Sequence, residues 1–310
     1  MVENFQSTKY PSFGLTLYSF FLLTVVFLYI DQDNVSVGRS GLLILVICFF
    51  LDRCCRATFN LVSLVFPVIL TIHNIVVGSK INAVQIYLFM LITLWMIGVS
   101  MSVCLHRYFS HRAFQTTRAM QFVLGIISCL AYQGGPLFWA MQHLRHHKHC
   151  DQEGDPHSVT KDGFLYAFIG WMMNPSSYED NNMDYSSLPD SYFVPEMISV
   201  EIFHMAPPIL LCVIVTYNYG YDVMIRMVLC PMLTCRLITL LFNVEFHPYK
   251  HTTKKCNAID DDRVLAKLVG ESRHSDHHAH PRKSKRPDWD LPYLFFILPL
   301  KSLGLIWNCQ

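Results

Sequence analysis

Long apolar runs constrain this chain more than any other feature. A helix needs about 20 consecutive apolar residues to cross a bilayer, and residues 13–30, 59–77, 81–105 and 223–246 reach or approach that length. A fifth run, 197–217, contains Glu201, His204 and the pair Pro207-Pro208, so it spans only with a kink whose freed backbone groups find partners on neighbouring helices. Residues 41–51 are too short to span unless 35–40 join them; the other reading is a re-entrant or buried helix. Only Lys9 supplies positive charge ahead of the first run, and no small-residue cleavage site precedes Asp31, which fits an anchor better than a removable signal.

Composition agrees. Hydrophobic residues make up 52% of the chain and charged ones 15%, against about 25% charged in a soluble domain. The net charge of +1 recommends no nucleic acid as partner. The 11 cysteines show no CxxC pair, and Cys48, Cys104, Cys129, Cys212, Cys230 and Cys235 lie in apolar runs. The expectation is that the cysteines are reduced and structural.

If residues 41–51 span, the turn 52–56 falls on the same side as His106-Arg107 and Arg112, and the positive-inside rule places both chain ends in the cytosol. The long polar regions 106–196 and 247–286 then share that side. Residues 119–131 are too short for a span, and 164–173 read as an interfacial helix with Trp171 at headgroup level.

Eight of the 15 histidines fall in three motifs on that side: His106-x4-His111, His143-x2-His146-His147 and His274-x2-His277-His278. Imidazoles three and four apart share one helix face, so each HxxHH can aim several ring nitrogens at one point. One such motif is more often a polar patch than a ligand set, but two copies with a His-x4-His, all beside spans, point to metal. Eight imidazoles exceed what one tetrahedral zinc takes, so two ions are implied. All-nitrogen donors suit iron, copper or zinc. The fold class expected is therefore all-α and integral to the membrane: four core transmembrane helices, an extra N-terminal hairpin in residues 1–58, and a cytosolic helical cap carrying a histidine-ligated dimetal centre in the domain 59–310.

The order and spacing of these motifs resemble the membrane fatty acyl desaturases of the stearoyl-CoA desaturase type. The resemblance covers roughly residues 59–300: His-x4-His at the end of a span, HxxHH about thirty residues on, two spans, then the last HxxHH after Gly270-Glu271. The string from Gln133 to Ala140 and the later Asp155-Pro156-His157 are also similar to family members. It implies that His106, His111, His143, His146, His147, His247, His274, His277 and His278 are ligands of two iron ions, with Asn243 reaching a metal through water. It further implies that Gln133, Trp139 and Thr239 bend the acyl chain, although Trp139 and Thr239 also suit ordinary packing. Where the family carries an Arg-Asp pair that contacts CoA, this chain has Met141-Gln142, which weakens the case for CoA as carrier.

The resemblance implies a delta-9-like acyl desaturase of the endoplasmic reticulum with its site facing the cytosol and O2 as co-substrate. Asp155 and His157 can orient a ligand imidazole. His149, His157, His251 and His280 are left out of the ligand set, and His73 and His204 are expected to be hydrogen-bonded core groups. The chain carries neither the His-Pro-Gly-Gly haem motif of cytochrome b5 nor a GxGxxG fingerprint. The expected electron source is a separate protein, cytochrome b5 with its NADH reductase, or a ferredoxin in a bacterium. The basic stretch 282–286 is a candidate dock, or faces anionic lipid. Two rival functions share parts of the pattern: a membrane hydroxylase or sterol oxidase, and a histidine-rich metal-binding or transport protein. The second would put histidines and carboxylates inside the spans, where only Glu201, His204 and Arg236 lie deep.

Overall fold

The computed structural model describes residues 56–77, 80–178, 184–249, 256–287 and 289–310, whose regular elements are helices apart from one two-stranded pairing. The expected N-terminal hairpin, with runs 13–30 and 41–51, lies outside the described residues.

In chain order the principal helices are α1 (Arg56–Val77), α2 (Ala83–Ser110), α3 (Arg118–Cys129), α4 (Pro136–His149), α5 (Pro195–Ile202), α6 (Ala206–Tyr219), α7 (Tyr221–Glu245), α8 (His274–Ala279) and α9 (Tyr293–Ser302). Helices α1, α2 and α7 are each long and apolar enough to cross a membrane. The pair α5 and α6 passes the same test only as one broken span, bent by 64°. That break is where the sequence called for a kink: Pro207 and Pro208 stand in the first turn of α6, where a missing N–H costs nothing.

Side chains at one end of these helices, among them Ile72, Ile75, Val76, Val84, Ile86, Leu210 and Ile214, are exposed apolar groups. The surface lies on helices, whose backbone groups are paired internally away from the ends, so it suits lipid. Helix α2 runs from that apolar zone into the centre of the molecule. The Asn82 side chain accepts from Gln85 N (2.9 Å) and Gln85 Oε1 accepts from Asn82 N (3.2 Å), which satisfies the first orphan donors of the helix. Its second half, Met96–Ser110, is wholly buried and wound with i→i+5 hydrogen bonds. Such wide turns are rare and concentrate at functional sites.

The chain after α7 folds back over the end of α2. The buried Arg107 guanidinium grips both Asp290 oxygens (2.8 and 2.9 Å) and donates to the Ser284 carbonyl. Gly270, at φ +71°, lies against this pair; a β-carbon there would come within 2.3 Å of Arg107 Nη2. Only glycine tolerates both the left-handed backbone and the contact. The strand β1 (Gln115–Thr116) pairs antiparallel with β2 (Ile306–Trp307) and ties the C-terminal segment to the turn after α2.

Two expectations fail here. Residues 164–173 are helical, but Trp171 is buried, lying 5.4 Å from the His157 ring and packing against Leu240 of α7. An indole offers enough apolar area to fill a core, which the interfacial reading underweighted. His73 is exposed on α1 instead of being a core group.

Candidate metal centre and adjoining cavity

Two histidine groups form where the ends of α2, α4 and α7 meet α8. His106, His111, His143, His147 and His277 make one, His146, His247, His274 and His278 the other, and within each group the ring nitrogens lie within 4.8 Å of one another. Helical periodicity explains the division. On both α4 and α8 the i, i+4 pair (143 with 147, 274 with 278) stays together, while the residue at i+3 reaches the other group. His106 and His111 are five apart, which α-helical winding would turn away from each other. The i→i+5 winding, closed by His111 N donating to His106 O at 3.2 Å, stacks them instead.

A layer of carboxylates fixes the ring orientations. His106 Nδ1 donates to Glu271 Oε1 (3.0 Å), His146 Nδ1 to Asp155 (3.0 Å) and His247 Nδ1 to Asp151 Oδ2 (3.3 Å). Asp155 is itself held by the N–H groups of Asp151 (2.7 Å) and His157 (3.1 Å). At His277 the arrangement is reversed, and the Arg286 guanidinium donates to Nδ1 at 2.9 Å. Burial would raise the Glu271 carboxyl, but His106, Arg107 and Arg286 outweigh it and hold it at about 2. Burial, reinforced by neighbouring imidazoles, holds His111, His143, His147, His274 and His277 well below the ordinary histidine value. These rings are therefore neutral and offer lone pairs.

The fit to metal can be tested on one contact. His146 and His247 each give their Nδ1 proton to an aspartate, yet their Nε2 atoms lie 3.2 Å apart. With those protons on Nδ1 the two Nε2 atoms face each other as lone pairs, an arrangement that a shared cation would relieve. Nine imidazoles without a thiolate suit iron or another first-row metal at two positions. Two sulfurs come close, Cys150 Sγ to His247 Nδ1 (3.7 Å) and Cys256 Sγ to His278 Nδ1 (3.6 Å), but they are joined to each other as a disulfide. This corrects the expectation of reduced cysteines for Cys150 and Cys256, while Cys104, Cys129, Cys212, Cys230, Cys235 and Cys309 are free thiols as expected. The Asn257 N–H donating to Asp151 at 2.8 Å draws the two chain segments together across a sequence separation of 106, invisible to spacing rules.

A cavity opens against the first group. Its wall includes His143, Trp139, Gln133, Thr239 and Asn243. The Trp139 ring stacks on His143 at 4.9 Å, its Nε1 donates to Gln133 Oε1 (3.0 Å), Gln133 Nε2 donates to Thr239 Oγ1 (2.8 Å), and Thr239 returns its proton to Cys235 O (2.9 Å). The three residues singled out as chain-bending are thus one hydrogen-bonded string.

The remaining histidines divide. His204 is buried, with Nδ1 3.1 Å from Glu201 O. His157 stacks on His146 at 4.5 Å without bonding to it, so the orienting role falls to Asp155. His149 is half-buried and His280 exposed, while His251 lies outside the described residues. The stretch 282–286 is not one basic face: Lys283 pairs with Asp276 (2.8 Å) and Arg286 is buried against His277, which leaves Arg282 and Lys285 exposed. Sequence reasoning gave no role at the centre to Asp151, Glu271 or Asn60, and it placed Arg286 in a basic surface stretch instead of behind His277. Only the Gly270-Glu271 pair beside the third box carried a signal.

Helices long and apolar enough to span, whose ends gather nine histidines, define a membrane protein with two histidine groups that could hold metal. Residues 83–299 match the fatty acid desaturase family. The chain is 30% identical over 278 residues to a hex-5-enoyl-[acyl-carrier protein] acetylenase of Moorena producens, covering 79% of this chain and 84% of that protein. It is 27% identical over 220 residues to the sn-1 stearoyl-lipid 9-desaturase of Anabaena variabilis, covering 69% and 79%. It is 28% identical over 228 residues to a probable acyl-CoA desaturase of Schizosaccharomyces pombe, covering 68% of this chain and 46% of that one. The chain belongs to the fatty acid desaturase family, whose members are oxidoreductases that desaturate fatty acids.

Proposed function

We propose that this chain introduces a cis double bond into a saturated fatty acyl chain carried on CoA, at a delta-9-like position. The observation that supports this most is the shared wall: one cavity is lined by His143 of the five-histidine group and by the string Trp139, Gln133 and Thr239. A chain bent over that string presents one carbon pair to the metal-holding side, which is catalysis by positioning. The nine histidines would hold two irons, and Asn243, on the same wall, would reach one of them through water. When bound, the iron pair supplies the activation of O2 needed to break an unactivated C–H bond. Two hydrogens leave the chain, two electrons and two protons come from outside, and one O2 becomes two waters.

The protein's own part is orientation and exclusion of water. Asp151, Asp155 and Glu271 hold the rings; Trp171, Met172 and Leu240 supply the apolar part of the cavity wall. Carriers named among the relatives are acyl-carrier protein, lipid and CoA, and the CoA reading follows the Schizosaccharomyces pombe protein, the delta-9 reading the Anabaena variabilis one. Residues 59–310 form the catalytic domain and 1–58 the membrane hairpin. The histidine side faces the cytosol of an endoplasmic reticulum membrane, where cytochrome b5 and its NADH reductase deliver electrons; a ferredoxin does so in a bacterium. Arg282 and Lys285 are the exposed cations left for that donor.

Expression in a desaturase-deficient host, with fatty-acid profiling and double-bond location, tests the reading. A new monoene is the expected product. Hydroxylated lipid without alkene would instead make this a hydroxylase.

A further inference from the structure

Arg236 of α7 lies one turn before Thr239 and lines the same cavity as Gln133, Trp139, His143 and Asn60. It is 3% exposed. Nη1 donates to Ser63 Oγ (2.8 Å) and Nη2 to Asn60 Oδ1 (3.0 Å), both on α1, and Nε has no partner. The other buried arginines of α2 and α7 have carboxylates: Arg107 has Asp290 at 2.8 Å, and Arg226 has Asp222 at 3.8 Å. Among the described residues no carboxylate accompanies Arg236. Asn60, which could reorient to help, already gives its Nδ2 to Tyr178 Oη (2.6 Å) and Met172 O (3.2 Å).

A buried guanidinium with an idle donor is costly against a hydrocarbon tail. It is favourable against an oxygen acceptor, and hydrogen bonds to charged groups are among the stronger ones. We propose that Arg236 is a substrate-binding residue whose guanidinium, on the cavity wall and without a carboxylate, donates to an oxygen function on the acyl chain, past the bend at Thr239. A rise of 1.5 Å per residue puts Arg236 about 4.5 Å beyond Thr239 along the α7 axis. The oxygen therefore sits a few carbons past the bend, and the preferred substrate is a medium-length acyl chain with a hydroxyl, carbonyl or carboxylate near its far end. This deepens the desaturase reading and rests on it for turnover, though binding is separable.

The test uses the full-length, iron-loaded protein with its electron donor, offered medium-chain ω-hydroxyacyl-CoAs against plain acyl-CoAs of the same length. The wild type should show kcat/KM at least about tenfold higher for the hydroxylated member of the best pair. Arg236→Leu should remove or invert that preference, and Arg236→Lys should keep part of it. Thermal stabilisation of the detergent-solubilised wild type by each acyl-CoA reads binding without turnover and should show the same order. Equal kcat/KM and equal stabilisation by the two chains in the wild type would overturn the inference while leaving desaturation standing. Selective stabilisation without any alkene product would keep Arg236 as a binding residue and sink the desaturase reading instead. Because the wild-type comparison needs no variant, misfolding of Arg236→Leu does not blunt the test.

Discussion

Glu201 occupies the space that a β-carbon on Gly135 would need: such an atom would lie 2.2 Å from Glu201 Oε2. The carboxylate accepts from Leu137 N (2.8 Å) and Phe138 N (3.3 Å), so a residue 64 positions away caps the helix that carries the second histidine box. Negative charge at a helix N-terminus is favourable, and here it is dry. Gly135→Ala should expel the carboxylate and cost about 1–3 kcal/mol. Thermal denaturation with iron analysis checks this; an unchanged melting temperature would mean that Glu201 is replaceable as a cap.

Asp155→Asn should lower metal affinity by about 10–100-fold, the usual effect of losing a carboxylate behind a ligating histidine. The ring of His146 would keep a neighbour of the same size but lose the negative charge behind its Nδ1 proton, and the new amide NH2 would face a donor, the Asp151 or the His157 N–H. Iron titration of the apoprotein measures the change. Wild-type affinity in the variant would show that the backbone, and not Asp155, sets the ring.

His143→Ala, His147→Ala and His277→Ala each remove a member of the five-histidine group and should abolish activity while membrane insertion is retained. His280→Ala, at an exposed position, is the matched control and should be silent. Full activity in any of the three would remove that residue from the ligand set.

Thr239→Phe should shift the double bond or the accepted chain length, because added volume in a packed wall displaces the ligand or costs about 1–3 kcal/mol. It also removes the acceptor for Gln133 Nε2, so Trp139 should loosen with it. Product analysis over a chain-length series decides; an unchanged distribution would reduce Thr239 to packing.

Peptide mapping without reductant should recover Cys150 and Cys256 as one linked pair. Closing a loop of this length stabilises by about 2–5 kcal/mol in the chain-entropy account, so Cys150→Ser should lower the melting temperature. Free thiols at both positions in the mature protein would remove the link.

The spans and the three boxes were legible because they depend on local periods: apolar length for α1, α2 and α7, and the i, i+4 register for His143 with His147 and His274 with His278. What escaped lies in long-range pairing. Asp151 reaches His247 across 96 residues and Arg107 reaches Asp290 across 183, and neither partner announces itself in its own stretch. The wide winding of Met96–Ser110 has no composition signal either, although it alone brings His106 and His111 together. Arg286 was read as part of a basic surface because charge runs usually are; it is buried instead, with its guanidinium 2.9 Å from His277 Nδ1.

The ligand groups draw on residues from His106 to His278, and each group mixes early and late segments: His277 joins four histidines of the first half, His146 joins three of the second. Neither cluster can therefore exist on a nascent chain that has not yet delivered its third box. If both groups hold metal as proposed, the full ligand set would form only once the third box is made: a ribosome stalled before His274 would leave the first group with four of its five histidines and the second with His146 and His247 alone.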